Sequence, residues 1–164
     1  MLKKVLHKHG IHIENIRYGK NGKPEIDDIF FNISHSKDMV ICAISGKSSV
    51  GCDIEFISQV KDGIIQRFFT QNERQYLNLF ENGIKQKEFF RLWTIKESYI
   101  KMTGYGMNMP LNSFDVVIDE FVKIYRNQKL CLCNIKEYDV PGYCLSVCAN
   151  ESEFTEKIES INLL

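Results

Sequence analysis

One long stretch of helical periodicity, from about Ile84 to Met102, is enclosed between two groups of strand-like segments. Apolar residues recur in it every three or four positions (Phe89, Leu92, Trp93, Tyr99, Ile100), and Gly104 stands where such a helix would stop. Before it come Phe30 to Ser34, Met39 to Ser45 and Val50 to Phe56, broken at Lys37-Asp38 and at the Gly46-Lys-Ser-Ser cluster. After Pro110 come Phe114 to Ile118, Val122 to Tyr125, Leu130 to Tyr138 and Gly142 to Ala149. Strands, then helices, then strands is the order of an α+β domain and not of a doubly wound sheet. Residues 1–164 form one compact unit, long enough to bury a core without disulfide or metal staples.

The minor elements follow from local chemistry. Leu2, Val5 and Leu6 oppose Lys3, Lys4 and Lys8, which predicts a helix ending at Gly10. Asn21-Gly22-Lys23-Pro24 is a turn signal. Residues 64–80 read as helical, with a restart capped by Thr70 or Asn72 ahead of Glu73-Arg-Gln-Tyr-Leu.

Composition excludes several functions. Lysine plus arginine and aspartate plus glutamate are 21 each, which removes the broad electrostatic case for binding nucleic acid. Residues 1–50 are mildly basic and 111–164 mildly acidic, so the front part would suit an anionic ligand or an acidic partner, or is simply solvated. The longest apolar run, Met39 to Ile44, is far short of the ~20 residues that cross a bilayer. Met1-Leu-Lys-Lys-Val-Leu lacks the apolar core and cleavage site of a secretory signal, which points to a cytoplasmic protein. The six cysteines lie mostly in apolar, β-rich runs and lack C-x2-C knuckles, so reduced core thiols are expected instead of zinc or disulfides.

Chemistry concentrates in three places. In Gly51-Cys-Asp53-Ile-Glu55 the strand period sends both carboxylates to one face and Cys52, Ile54 and Phe56 to the other. Such a pair is either a solvent-facing acidic edge or a site for a hard divalent cation such as Mg²⁺. On the long helix Phe90, Trp93, Glu97 and Lys101 share one side. Glu97 is then either half of an ordinary ion pair with Lys101, or a third oxygen ligand or general base with Lys101 holding a phosphate. Lys96 falls among apolar neighbours and is expected to snorkel to water along its stem. Phe31-Asn-Ile-Ser34-His35-Ser36 presents a hydroxyl and an imidazole at a strand end; neither a nucleophile elbow nor a P-loop is present.

Taken together these pieces resemble the surfactin-type 4′-phosphopantetheinyl transferases. The matching residues come in the family's order: Gly22-Lys-Pro24, Phe31-Asn-Ile-Ser-His-Ser36, Gly51-Cys-Asp-Ile-Glu55, Leu92-Trp-Thr-Ile-Lys-Glu-Ser98 and Lys101-Met-Thr-Gly-Tyr-Gly106. Phe114-Asp-Val and Pro141-Gly-Tyr-Cys-Leu-Ser-Val look like the closing strands. The resemblance implies two similar α+β halves about a pseudo-twofold axis, the first (residues 1–46) incomplete and the second (47–164) carrying a metal site. It implies that Asp53, Glu55 and Glu97 hold Mg²⁺, that Lys23, Pro24, Ser34, His35 and Lys101 bind coenzyme A, and that Glu97 and Lys101 are catalytic. The substrate would be coenzyme A and the partner an apo acyl or peptidyl carrier protein, with no nucleic acid or membrane involved. Two other readings are a shortened module that binds carrier protein or coenzyme A with weak catalysis, and a Mg²⁺-dependent phosphohydrolase.

Overall fold

The computed structural model describes residues 7, 16–19, 22, 24–27, 29–61 and 63–160. The expected helix over residues 1–10 lies outside them except for His7, which is helical.

The alternating run Val50–Phe56 becomes β5, the strand about which the rest is arranged. It pairs antiparallel with β10 (Tyr143–Ala149), which pairs antiparallel with β9 (Asn134–Val140), giving the order β5-β10-β9. Residues 51, 53 and 55 face one side, and 50, 52 and 54 the other. The long helix α3 (Asn82–Thr103) lies across the first side. It ends on Gly104 at φ 73°, whose N–H closes on the Ile100 carbonyl, as the sequence predicted.

Gly51 sets how closely that helix approaches. A Cβ built there would run into the Ser98 carbonyl and the Met102 amide of α3, both backbone groups that cannot move aside. The glycine thus lets helix and strand touch backbone to backbone.

Between β5 and α3 the helical run predicted for residues 64–80 divides into α1 (Ile64–Phe68) and α2 (Gln71–Leu77). Thr70 starts α2 with a full capping box, its hydroxyl accepting the Glu73 N–H while the Glu73 carboxylate accepts the Thr70 N–H. The main core packs these helices and α3 against β6 (Asp115–Ile118) and β7 (Val122–Arg126), with Leu77, Leu92 and Ile95 fully buried. Each such side chain stabilises the fold by roughly 1.5–3 kcal/mol.

The segment expected as one strand from Leu130 to Tyr138 is interrupted. A two-residue β8 (Lys129–Leu130) completes the β6-β7-β8 sheet, and the chain turns at Cys131–Cys133, where the Cys133 N–H bonds the Cys131 carbonyl, before β9 begins. Leu132, at the turn, is exposed.

The remaining strands form a hairpin, β3 (Phe30–Ser36) and β4 (Met39–Ser45), and a two-residue pair, β1 (Arg17–Tyr18) with β2 (Pro24–Glu25). One face of the hairpin covers the second side of β5, where Val50, Cys52, Val147 and Ala149 pack with Ile41 and Ala43. No backbone rung joins β3 to β5 among the described residues. Side chains join them instead: Asn32 Oδ1 accepts the Cys52 N–H at 2.9 Å, Ser34 Oγ the Ile54 N–H at 3.2 Å and Ser36 Oγ the Phe56 N–H at 3.1 Å. The constant offset of the partners means the two strands run in the same direction.

All six cysteines are free thiols. Burial pushes Cys42 and Cys144 up to about 11 and Cys52 to about 12, so these three sit as inert apolar groups.

Candidate functional site

The site lies where β5 meets the C-terminal half of α3 and the end of β3. Asp53 is 4% exposed, directed at the helix by the strand alternation. Its Oδ1 accepts the Lys101 ammonium at 2.6 Å and the Ser34 hydroxyl at 2.9 Å. Lys101 also donates to Ser34 Oγ and the Cys52 carbonyl, both at 3.2 Å. Ser34 is thereby saturated: it donates one bond and accepts two. Asp53 Oδ2 is buried with no hydrogen-bond partner among the described residues.

Two residues along, Glu55 Oε2 accepts the Ser36 hydroxyl at 2.9 Å. Glu97, half-buried on α3, stands close enough to both carboxylates of β5 to feel them. Burial pushes the Glu97 carboxyl up, the Lys101 ammonium pulls it down and the Glu55 charge pushes it up again. Asp53 is pushed up to about 6, first by burial and against the pull of Lys101 and Ser34, with the Glu97 charge adding to the rise. Three carboxylates and one ammonium thus share one electrostatic neighbourhood. Among the described residues no three His, Cys, Asp or Glu side chains are gathered tightly enough to hold a metal ion as they stand.

The other predicted residues fall as follows. Lys23 lies outside the described residues, and of Pro24 only the backbone in β2 is described. Gly22, in the predicted turn, has φ 77° and donates its N–H to the Gly19 carbonyl. His35 is exposed near the end of β3, whereas Ser34 is buried against Asp53 and Lys101. Lys101 pairs across the fold with Asp53, where the sequence suggested a partner one turn back on its own helix.

Lys96 does not snorkel. It is completely buried, with its ammonium bonded to the Glu73 carboxylate and to the Phe114 carbonyl at 2.7 Å, above the Phe114 ring. Burial pulls the amine down and Glu73 pushes it back up. Glu73, 1% exposed, also accepts the Val116 N–H, so this ion pair ties α2, α3 and β6 together. The stem cannot reach water because α2 and β6 close over it, a tertiary fact that helical periodicity does not contain.

Sequence reasoning missed the parts played by Asn32 and Ser36. Their signal was the alternation of polar Asn32, Ser34 and Ser36 with apolar Phe31 and Ile33, a polar face at strand spacing that called for partners once buried.

The family model of the 4′-phosphopantetheinyl transferase superfamily matches residues 49–148, which include β5, all of α3 and most of β10. The chain is 38% identical over 160 residues to the 4′-phosphopantetheinyl transferase Sfp of Bacillus subtilis, covering 96% of this chain and 71% of that protein. It belongs to the 4′-phosphopantetheinyl transferase superfamily. A second member, the 4′-phosphopantetheinyl transferase gsp of Aneurinibacillus migulanus, is 44% identical over 147 residues, and the chain spans 62% of its length. A crystal structure of a holo-(acyl-carrier-protein) synthase from Bacillus anthracis, in complex with CoA (3′,5′-ADP), shares the fold at TM-score 0.54 and 15% identity, covering 62% of this chain and 93% of that one. That likeness supports the α+β transferase fold read from the sequence.

Proposed function

We propose that this chain transfers the 4′-phosphopantetheine arm of coenzyme A to a serine of an apo acyl or peptidyl carrier protein. The observation that carries the reading is the meeting of Asp53, Glu55, Glu97 and Lys101 between β5 and α3, inside the stretch that matches the family.

The donor set fits a divalent cation, proposed to be Mg²⁺. All three carboxylates offer hard oxygens, and the buried Asp53 Oδ2 has no partner among the described residues. Burial holds Asp53 and Glu97 up, with the Glu97 charge adding to the rise of Asp53 and the Glu55 charge to that of Glu97. Asp53, Glu55 and Glu97 would hold it. When bound it would withdraw charge from the pyrophosphate of coenzyme A.

The chain's own residues supply the rest. Glu97, directly or through water, accepts the proton of the carrier serine. The serine oxygen forms a bond to the β-phosphorus of coenzyme A as the bond to the bridging oxygen breaks, and 3′,5′-ADP leaves with the electron pair. Lys101 offsets charge developing on the phosphoryl oxygens. Lys23, Pro24 and His35 would bind coenzyme A; Ser34, expected among them, is instead buried with its hydroxyl committed to Asp53, Lys101 and the Ile54 N–H. In this reading residues 47–164 are the half that carries the carboxylates, and 1–46 belong to the first half. A cytoplasmic location is part of the proposal and accords with six free thiols. No helix among the described residues is long and apolar enough to cross a membrane.

The test is intact-mass analysis of an apo carrier protein incubated with this chain, coenzyme A and Mg²⁺, beside a chelated control. A metal-dependent gain of one phosphopantetheine arm is expected. No gain across several carriers from a folded sample would overturn the reading, and calorimetric binding of coenzyme A without turnover would favour the binding module.

A further inference from the structure

We infer that Ser36 is a positioning residue for Glu55: its hydroxyl, fixed by the backbone of β5, sets the carboxylate in the orientation that the metal site needs. This rests on the reading above that Glu55 is a metal ligand.

The seam between β3 and β5 is regular. Asn32, Ser34 and Ser36 stand at every second position of one strand and accept the N–H groups of Cys52, Ile54 and Phe56 at every second position of the other. Each acceptor satisfies a backbone donor on the edge of β5 away from β10. A purely structural seam would require no more than this.

The two serines do more. A hydroxyl has one proton, and accepting an N–H on one lone pair fixes the directions left for it. Ser34 sends its proton to Asp53 and Ser36 sends its proton to Glu55, in each case the residue just before the amide it accepts, and both at 2.9 Å. The same device is therefore used twice, two residues apart, and each time it grips one of the two carboxylates of Asp53-Ile-Glu55. Asn32 closes the same kind of bond to Cys52 and hydrogen-bonds to no carboxylate among the described residues. Asp53 has Lys101 as a second anchor, whereas Ser36 supplies the hydrogen bond described for Glu55. Partners of this sort, which orient a ligand without touching the metal, are worth 10- to 100-fold in metal affinity in well-studied sites.

The experiment titrates the full chain with Mn²⁺ and reads free metal by electron paramagnetic resonance, which needs no turnover. Ser36→Ala is expected to weaken binding by about 10- to 100-fold. Ser36→Thr, which restores the hydroxyl, is expected to recover most of the affinity. Asn32→Ala cuts a seam bond of the same kind and serves as the control: it is expected to lower the melting temperature and leave Mn²⁺ affinity within about twofold. Should Ser36→Ala fail to fold, Ser36→Cys keeps the size and replaces the hydroxyl with a weak donor. Wild-type affinity in Ser36→Ala, or in Ser36→Cys where that variant stands in for it, or an equal loss in Asn32→Ala, would overturn the inference while leaving the metal reading intact. No Mn²⁺ binding by the wild-type chain, with or without 3′,5′-ADP, would overturn both.

Discussion

Lys101 Nζ lies 2.6 Å from Asp53 Oδ1, and the two groups are unequally placed: the carboxylate is sealed beneath α3 while the ammonium keeps about a quarter of its side chain in solvent. The carboxylate is therefore the partner that suffers from burial, and the ammonium offsets that cost only in part. Asp53 ends up at about 6, well above its ordinary 3.8.

The sign of the resulting pH dependence follows from linkage. Between about 4 and 6 the folded chain holds a proton on Asp53 that the unfolded chain has released, so stability falls as pH rises through this window. A shift of about two pKa units corresponds to ~3 kcal/mol. Urea unfolding from pH 4 to 7 should show wild type losing up to about that amount relative to Asp53→Asn, which carries no such titration.

Removing the ammonium should act in the same direction. Lys101→Ala leaves a buried carboxylate without its counter-charge and is expected to cost about 2–3 kcal/mol at pH 7, toward the lower end because Lys101 is partly exposed. The loss should shrink at pH 4, where Asp53 is already protonated. Phosphopantetheine transfer by this variant should fall by roughly 10²-fold or more, measured by carrier mass gain.

Breaking the other ion pair should be costlier and independent of activity assays. Lys96→Met strands the Glu73 carboxylate in the core and is expected to destabilise by about 3–5 kcal/mol. Adding Glu73→Gln removes the stranded charge, but Oε1 holds the Val116 N–H and Oε2 the Thr70 N–H, so the single amide oxygen keeps one of these two bonds. The double variant should regain part of the loss in chemical denaturation, the remainder being the backbone N–H left without its acceptor.

Gly51→Ala tests the contact that seats the helix. The added methyl meets backbone atoms at Ser98 and Met102, so either α3 or β5 must move. A loss of about 3 kcal/mol in thermal unfolding is expected, with weakened Mn²⁺ binding because Asp53 and Glu97 lie on the two displaced elements.

Much of this was legible in the chain. β4 and β5 run over the residues expected, α3 starts two residues early and stops at its glycine, and Thr70, one of the two caps expected, starts α2. These are features that local periodicity and capping chemistry encode. The carboxylate pair was visible too, because a strand fixes which side chains share a face. What could not be read was whichever depended on another element closing over a residue. Lys96 reads as a snorkelling lysine on an isolated helix and becomes a core cation only when α2 delivers Glu73. Lys101 has a plausible partner one turn away and a different one across the fold. The break at Cys131–Cys133 depends on the Cys131 N–H finding the Ile124 carbonyl, a contact with no local signature.

The seam between the hairpin and the central sheet has a consequence for how this fold can change. Backbone pairing locks two strands in register along their whole length, so altering one rung disturbs its neighbours. Here each tie between β3 and β5 is a separate side chain on a strand already secured by its own hairpin partner. The boundary is a cut line across which one hairpin can be grafted in place of another. A replacement hairpin would need an amide and two hydroxyls at the same spacing and apolar side chains where Ile41 and Ala43 meet Val50 and Cys52, and it would bring its own settings for the carboxylates it grips.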